Sequence, residues 1–234
     1  QMILDNPRSS KHHTLRLMRS GASNLSHLLA QQLREKFKCT VIPTYSMTEC
    51  MPIASHSTEY DLTYPGTVGK ACGCEIKVLR DNKLHTNGVG EVCVNSAHLM
   101  SYYLNCEADT INGYLKTGDL GILSSDGILQ LTGRSKEIII KGGETISPFE
   151  IEEYFLENEH VNSCVCFSVS DAYYGENVGI FIKLSTRDES LFKDIVCHGQ
   201  SHTHKPVCYV FCDDFVKGST GKILRYGLQK RLNL

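Results

Sequence analysis

The sequence of 234 residues has no tryptophan, only six prolines and no long apolar run. Its apolar stretches, such as Ile138–Ile140, are far shorter than the about 20 residues that a membrane-spanning helix needs. It also has no excess of one charge, because 24 Lys and Arg against 26 Asp and Glu leave a formal net charge of -2. These absences predict a protein without a membrane span and without a basic surface for nucleic acid.

The sequence also lacks a secretory signal and a paired cysteine framework. It begins with Gln1 rather than Met, which suggests the truncation of a longer chain. Its eleven cysteines are scattered and odd in number, so we expect reduced, half-buried thiols in an intracellular protein, cytoplasmic or peroxisomal. The last four residues, Arg-Leu-Asn-Leu, are not the Ser-Lys-Leu peroxisomal signal.

One cluster of candidate metal ligands stands apart from the other thiols. Zinc uses cysteine and histidine ligands, but the paired C-x-x-C of common zinc sites is missing here. We therefore prefer a solvated, histidine-rich loop to a zinc site. The cluster comprises Cys197, His198, His202, His204 and Cys208.

Local patterns predict a helix and a strand, followed by a β-rich region. Ser26 is the expected cap of the helix, and the buried strand Cys39–Tyr45 follows it. Between Gly66 and Gly133, period-two alternation indicates short strands, with a hairpin turning at Ser124–Gly127. The apolar positions at helical spacing are Leu25, Leu28, Leu29, Leu33 and Phe37.

The pattern changes after residue 133. Ile138–Ile140 predict a buried strand that ends at Gly142-Gly143. Ser147-Pro148 then predict a helix that begins with a capping box and a proline in its first turn. Two strands, a helix, a strand and a last helix are expected to follow.

This change divides the chain into two predicted domains, with the boundary at Arg134–Lys136. Residues 1–135 read as an α/β part with a helix, a strand and a β-rich subdomain. Residues 136–234 are predicted to form a small, compact α+β domain of their own.

The segment Val216–Arg225, VKGSTGKILR, contains residues typical of a phosphate-binding loop. A P-loop requires G-x4-G-K-[ST]. Here Gly218 and Gly221 are only three positions apart, and Ile223 replaces the Ser or Thr. The P-loop interpretation therefore fails, and Lys222 on a glycine-rich turn before a terminal helix remains.

Four stretches occur in an order that is typical of one superfamily. They are YSMTE at 45–49, GYLKTGDLG at 113–121, GRSKEIIIKGGETISPFEIE at 133–152 and KGSTGKILR at 217–225. Together they resemble the signature motifs of the adenylate-forming, AMP-binding superfamily, which includes acyl-CoA synthetases, firefly luciferase and the adenylation domains of peptide synthetases. MTECMPI and GGETISPFEIEE are most similar to oxalate- and long-chain-type acyl-CoA ligases. The resemblance implies the C-terminal part of a large adenylate-forming domain, followed by the small mobile domain.

The resemblance also implies roles in nucleotide binding. Tyr45 would stack on adenine, Thr48 would bind a phosphate, and Glu49 would bind Mg²⁺ through a hard oxygen. Asp119 would accept hydrogen bonds from both ribose hydroxyls, and Arg134 would reach the same ribose or a phosphate. Thr48 and Glu49 would thus belong to the catalytic set.

The remaining implied roles concern acyl transfer. Lys222 would be the catalytic lysine that bridges the substrate carboxylate and the α-phosphate of ATP. Lys136 would be the hinge residue, and Gly142 and Gly143 would let the pantetheine arm of coenzyme A pass close to the backbone. Residues expected near the carboxylic acid substrate are Ala22, Ser23 and Met47.

Each residue taken alone also has a structural interpretation. Glu49 could be a surface acid, Asp119 a turn residue, and Gly142-Gly143 a plain hairpin turn. Arg134 and Lys136 could be solvated charges. The family order of the motifs favours the functional roles.

The sequence departs from the family pattern in two ways. Ser46 replaces the usual glycine of Y-G-x-T-E, and no Ser/Thr/Gly-rich phosphate loop precedes Tyr45 within these 234 residues. Three functions stay open: AMP-forming ligation of a carboxylic acid to CoA with ATP and Mg²⁺, loading of a carrier-protein pantetheine, and a non-catalytic remnant or binding module. We expect little adenylation by this chain alone.

Overall fold

The computed structural model describes residues 14–21, 25–64, 66–186, 188–219, 223 and 225. The chain divides into two compact units, Gln1–Ser135 and Lys136–Leu234. Each unit has its own hydrophobic clusters. The two units are described separately below.

The first unit begins with a β-α-β crossover. Strand β1 (Leu17–Ser20) and strand β2 (Thr40–Met47) pair in parallel, and helix α1 (His27–Phe37) connects them. The Ser26 hydroxyl accepts a hydrogen bond from the backbone N–H of Leu29 at 3.3 Å, so the predicted cap is confirmed. Leu28, which we expected on the apolar face, is 41% exposed. The buried face of α1 is formed instead by Ala30, Leu33 and Phe37.

The remaining strands of the first unit are joined by antiparallel pairing. Within the described residues they complete a ten-stranded sheet in the order β1-β2-β3-β4-β10-β9-β7-β5-β6, with β8 paired to β9. Their bounds are β3 (Cys50–Ser55), β4 (Thr67–Ala71), β5 (Glu75–Arg80), β6 (Lys83–His85), β7 (Gly88–Asn95), β8 (Thr110–Ile111), β9 (Tyr114–Leu123) and β10 (Leu129–Arg134). The predicted β-rich region is therefore confirmed.

The predicted hairpin connects β9 and β10. Leu123 pairs with Leu129, and the turn between them is closed by a hydrogen bond from the Ser124 N–H to the Ile128 carbonyl at 2.9 Å. Gly127 has φ +79°, a backbone conformation that glycine adopts without strain. This hairpin fixes the register of β9 against β10, and the register determines which residues meet at the site described below.

The second unit is a five-stranded sheet with helices, ordered β12-β11-β14-β13 within the described residues. Strand β15 pairs with β14 in parallel, whereas the other pairs are antiparallel. This arrangement confirms the predicted α+β class. The bounds are β11 (Ile139–Lys141), β12 (Glu144–Ile146), α2 (Pro148–Leu156), β13 (Val161–Asp171), β14 (Gly175–Leu184), a 3-10 turn (Glu189–Leu191), α3 (Phe192–Gln200) and β15 (Cys208–Phe211).

Three local expectations in the second unit need correction or fall outside the structure. The Ile138–Ile140 stretch is not uniformly buried, because Ile139 is buried and Ile140 is 50% exposed, as expected when neighbouring side chains of a strand alternate between faces. In the described start of α2, Pro148 occupies the first turn, but the Ser147 side chain makes no capping hydrogen bond to the helix. The last helix lies outside the described residues.

No helix among the described residues is long and apolar enough to cross a membrane. All eleven cysteines are described, and none forms a disulfide. The described residues also contain no group of three or more His, Cys, Asp and Glu side chains that could hold a metal. His198 stacks on Tyr154 with a ring-centroid distance of 4.3 Å, so this histidine packs on α2.

Candidate functional site

Thr48 and Glu49 form the two-residue turn of the β2–β3 hairpin. Met47 pairs with Cys50 across the hairpin, so the two intervening residues lie at its tip. Thr48 is exposed and Glu49 is half-buried. A tight turn between two hydrogen-bonded strands holds a hydroxyl and a carboxylate side by side at the end of the hairpin.

Asp119 lies on β9 directly opposite Arg134 on β10. The Arg134 Nε–H donates a hydrogen bond to Asp119 Oδ1 at 3.0 Å, and the Tyr45 hydroxyl donates to Asp119 Oδ2 at 2.6 Å. The backbone N–H of Asp119 also donates to Thr117 Oγ1 at 3.1 Å, and that hydroxyl donates to the Val92 carbonyl at 2.8 Å. Strands β2, β9 and β10 thus converge on one carboxylate.

This carboxylate is buried, whereas the guanidinium that contacts it is open to solvent. Asp119 is 8% exposed and the Arg134 side chain is 57% exposed. Burial, followed by the neighbouring Asp119 charge, raises the pKa of Tyr45 well above its ordinary value, so Tyr45 keeps its proton and acts as a donor. A carboxylate has about four lone-pair sites, so Asp119 can accept further hydrogen bonds beside these two.

The Tyr45 ring is packed rather than exposed. Its side chain is only 7% exposed and belongs to the apolar cluster that includes Ile53 and Leu129. Little of its face is therefore open for stacking on a base in this form of the chain. Its hydroxyl is the group that reaches the site.

Gly118 supports the same site through its backbone. Its φ of +75° favours glycine. Its N–H donates to Glu91 Oε1 at 3.2 Å, and its carbonyl accepts from the Ser135 N–H at 2.9 Å. The Thr-Gly-Asp segment is thereby fixed to β7 on one side and to the end of β10 on the other.

Gly142 and Gly143 belong to the second unit, where they form the two-residue turn between β11 and β12. Both have positive φ, +58° and +89°, as the mirror-image hairpin turns require. The Gly142 N–H donates to the Tyr174 carbonyl at 2.9 Å, and a β-carbon at this position would lie 3.0 Å from Tyr174 Cδ1. Lys141 Nζ lies 5.3 Å from the centre of the same ring.

Ile223 and Arg225 make defined contacts within the second unit. Ile223 forms an isolated antiparallel bridge with Lys217. The Arg225 guanidinium pairs with Glu152, through Nη2 and Oε2 at 3.0 Å and also through Nη1, and with Glu137 through Nε and Oε2 at 2.9 Å. Arg225 and Glu152 are largely buried, so this pair joins the C-terminal segment to α2.

The structure places some of the expected site residues in contact or on a shared turn, and three of them lie outside the described residues. The structure brings Tyr45, Asp119 and Arg134 together and places Thr48 and Glu49 on one turn. Gly142 and Gly143 share a turn in the second unit. Lys136, the first residue of that unit, is exposed, and Met47 packs half-buried against the core of the first unit. Ala22, Ser23 and Lys222 lie outside the described residues.

Known proteins resemble this chain over most of its length. The model of the AMP-binding enzyme family matches residues 1–104. The oxalate–CoA ligase of Saccharomyces cerevisiae is 32% identical over 236 residues, which span 96% of this chain and 44% of that protein. The oxalate–CoA ligase of Arabidopsis thaliana is also 32% identical, over 96% of this chain and 46% of that protein. The chain is thus similar to adenylate-forming, AMP-binding enzymes along nearly its whole length.

Solved structures of AMP-binding enzymes share the fold. The o-succinylbenzoate CoA synthetase of Bacillus subtilis, in complex with its acyl-adenylate intermediate, aligns with a TM-score of 0.83 at 28% identity over 95% of this chain and 48% of that one. ATP-bound MatB of Rhodopseudomonas palustris aligns with a TM-score of 0.85 at 26% identity over 97% and 48%. The chain thus spans about half the length of the relatives it matches.

Sequence reasoning missed three side chains that support the site. Tyr103 donates its hydroxyl proton to Glu49 Oε1 at 2.7 Å, Thr117 holds the backbone of Asp119, and Glu91 holds Gly118. Thr117 was visible within the Thr-Gly-Asp motif. No local pattern marked Tyr103 or Glu91, because their contacts join residues that are far apart in sequence.

The donor set at the Thr48–Glu49 turn fits a magnesium ion. A hydroxyl and a carboxylate are hard oxygen donors, and Mg²⁺ is commonly held by one or two carboxylates together with substrate phosphates rather than by a full protein cage. The described residues hold no larger acidic or histidine cluster that would form such a cage. A single carboxylate on an exposed turn matches the substrate-assisted kind of site.

Proposed function

We propose that this chain is part of an AMP-forming acid–thiol ligase. Such an enzyme joins a carboxylic acid to AMP at the expense of ATP, releases pyrophosphate, and passes the acyl group to the thiol of coenzyme A. The observation that carries the proposal is the convergence of Tyr45 and Arg134 on the buried carboxylate of Asp119. The similarity to CoA ligases over nearly the whole chain supports it.

In this proposal Asp119 binds the ribose of ATP and AMP. Tyr45 and Arg134 hold its two oxygens from the protein side, and the remaining lone pairs accept hydrogen bonds from the ribose hydroxyls. Charge-assisted hydrogen bonds of this kind are about twice as strong as neutral ones. Arg134 has exposed N–H groups that can also reach a phosphate.

In this proposal Thr48 and Glu49 bind the phosphates of ATP and the Mg²⁺ that accompanies them. The Thr48 hydroxyl donates to a phosphate oxygen, and Glu49 holds Mg²⁺ with one carboxylate oxygen. When it is bound, Mg²⁺ neutralises the phosphate charge that develops as pyrophosphate leaves. Neither residue needs to move far, because both lie on the tip of a hairpin.

The second unit supplies the groups for acyl transfer. Lys222 pairs with the substrate carboxylate and the α-phosphate, and Lys136 is the hinge about which the small domain moves. Gly142 and Gly143 then present bare backbone to the pantetheine arm of CoA. Lys222 and the glycines would thus act in successive steps, as in enzymes whose catalytic groups are exchanged by domain motion.

The proposal also covers the thiol that accepts the acyl group, the cellular location and the contacts of the acid substrate. We favour CoA over a carrier-protein pantetheine because oxalate–CoA ligases are among the relatives that match nearly the whole chain. A cytoplasmic or peroxisomal location suits its eleven cysteines without disulfides. The acid substrate would contact Ala22, Ser23 and Met47.

Thermal stabilisation by nucleotides tests the proposed function. At a fixed concentration, a ligand that binds only the folded state raises the melting temperature more when it binds more tightly. We expect AMP and ATP to stabilise the chain, and 2′-deoxy-AMP to stabilise it less, because it lacks one hydroxyl for Asp119. Equal stabilisation by AMP and 2′-deoxy-AMP would contradict the role of Asp119. No stabilisation by any nucleotide would favour the non-catalytic remnant.

A further inference from the structure

The segment between β7 and β8 packs along the β2–β3 hairpin that carries Thr48 and Glu49. Four contacts join the two: two between side chains, one between a side chain and a backbone carbonyl, and one between backbone groups. The segment therefore follows the hairpin from Pro52 to its tip. The contacts are Cys50 Sγ with Ser96 Oγ at 3.8 Å, His98 Nε2 with the Pro52 carbonyl at 3.1 Å, the Met100 N–H with the Glu49 carbonyl at 2.7 Å, and the Tyr103 hydroxyl with Glu49 Oε1 at 2.7 Å.

The last two contacts hold the backbone and the side chain of the same residue. The Met100 N–H fixes the main chain of Glu49, and the Tyr103 hydroxyl fixes its carboxylate. Among the residues that the structure describes, none donates a hydrogen bond to the second oxygen, Oε2. Glu49 is half-buried, so this oxygen belongs to a side chain that is partly accessible to solvent.

We propose that Tyr103 is a positioning residue for Mg²⁺. It holds one oxygen of Glu49 so that the other is directed at the metal that accompanies ATP. This inference rests on the proposed function, which assigns Mg²⁺ to Glu49. It adds a residue that lies 54 positions away in sequence and that acts through Glu49.

The coordination geometry of Mg²⁺ explains why a positioning residue would strengthen its binding. Mg²⁺ requires near-ideal octahedral geometry at about 2.0–2.1 Å, so a carboxylate that samples many rotamers binds it poorly. A glutamate side chain has three rotatable bonds, and Glu49 is half-buried at the tip of a hairpin. A hydroxyl donor on one oxygen selects one orientation and leaves the other oxygen as a ligand.

Tyr103 is not needed merely to hold the segment against the hairpin. The contacts of Ser96, His98 and Met100 already attach the segment without it. Its neighbour Tyr102 is 73% exposed and lies on the same segment, so Tyr102→Phe is a matched control for the loss of one phenol hydroxyl.

The test compares the affinity for ATP in saturating Mg²⁺ with that for ATP in EDTA, by calorimetry, on the 234-residue chain. The ratio of the two dissociation constants is the gain, the factor by which Mg²⁺ increases the affinity for ATP. Removal of an outer-shell partner typically weakens metal affinity by about 10- to 100-fold. We expect Tyr103→Phe to lower this gain by about tenfold, while Tyr102→Phe leaves it unchanged and neither variant alters ATP affinity in EDTA.

Glu49→Gln separates this inference from the proposed function. If Glu49→Gln lowers the gain and Tyr103→Phe does not, Glu49 binds the metal without help from Tyr103, and the inference is wrong. An increased gain in Tyr103→Phe would also overturn it, because Tyr103 would then compete with the metal. If Glu49→Gln retains the full gain, or the parent chain shows none, the assignment of Mg²⁺ to Glu49 fails, and with it the role of Tyr103.

Discussion

Asp119 and Glu49 differ in how far sequence alone could describe them. The contact of Asp119 with Arg134 follows from the β9–β10 hairpin, whose turn residues are visible in the sequence, because antiparallel register places the two residues opposite each other. The contacts of Asp119 with Tyr45 and of Glu49 with Tyr103 join residues 74 and 54 positions apart. Such contacts depend on how strands are ordered in the sheet, which no local pattern encodes.

The hydrogen bond between Tyr103 and Glu49 alters the titration of the Tyr103 hydroxyl, which can be measured for this single residue. This bond, followed by partial burial, raises the pKa of Tyr103 from 10.0 to about 12. The folded-state pKa is raised, so the stabilisation from this bond is fully present below pH 10 and is lost as the pH rises through about 12. We expect Glu49→Gln to return the pKa of Tyr103 toward 10.

The measurement is the phenolate absorbance as a function of pH, taken as the difference between each chain and its Tyr103→Phe counterpart. The parent chain should show a Tyr103 phenol that is still protonated at pH 11, and the Glu49→Gln chain should not. A Tyr103 that ionises near pH 10 in both chains would show that the hydrogen bond does not form in solution.

At the scale of secondary-structure elements, the positions of turns were predicted better than which side of a helix or strand is buried. Ser124–Gly127, the Gly142-Gly143 turn and Pro148 at the start of α2 were visible because glycine and proline impose local geometry. The exposure of Leu28 and Ile140 was not visible, since an apolar residue at the margin of a helix or strand faces whatever the tertiary structure places there. The same limit hid the buried Arg225–Glu152 pair.

That pair gives a stability prediction for the second unit. Removing one partner of a buried ion pair leaves an uncompensated charge and costs about 3–5 kcal/mol. We expect Arg225→Met to destabilise the second unit by this amount, because Glu152 also loses both of its hydrogen bonds from the guanidinium. Lys217→Met is the control, since its ion pair with Asp214 is exposed and such pairs contribute little.

Hydrogen exchange followed by mass spectrometry measures this effect in each unit. In Arg225→Met, peptides from residues 136–225 should lose protection, while those from the first unit keep theirs. Lys217→Met should match the parent chain throughout. Equal protection in Arg225→Met and the parent chain would mean that the buried pair contributes nothing to stability.

At the scale of the whole molecule, the chain is two units with separate cores. The first unit carries the nucleotide-binding residues of the proposal, and the second carries the groups for acyl transfer. The chain spans about half the length of its curated relatives. Within these residues, no Ser/Thr/Gly-rich phosphate loop precedes Tyr45. We therefore expect nucleotide binding by the chain alone, with little carboxylate-dependent pyrophosphate exchange.

The affinity for AMP, measured by calorimetry, tests the central claim most directly. The parent chain should bind AMP, and Asp119→Asn should weaken binding by about tenfold or more, because hydrogen bonds to a charged group contribute about 1.5–3 kcal/mol. Asp126→Asn, in the exposed turn of the same hairpin, should bind AMP like the parent chain. Equal AMP affinity in Asp119→Asn and the parent chain would contradict an Asp119-centred nucleotide site.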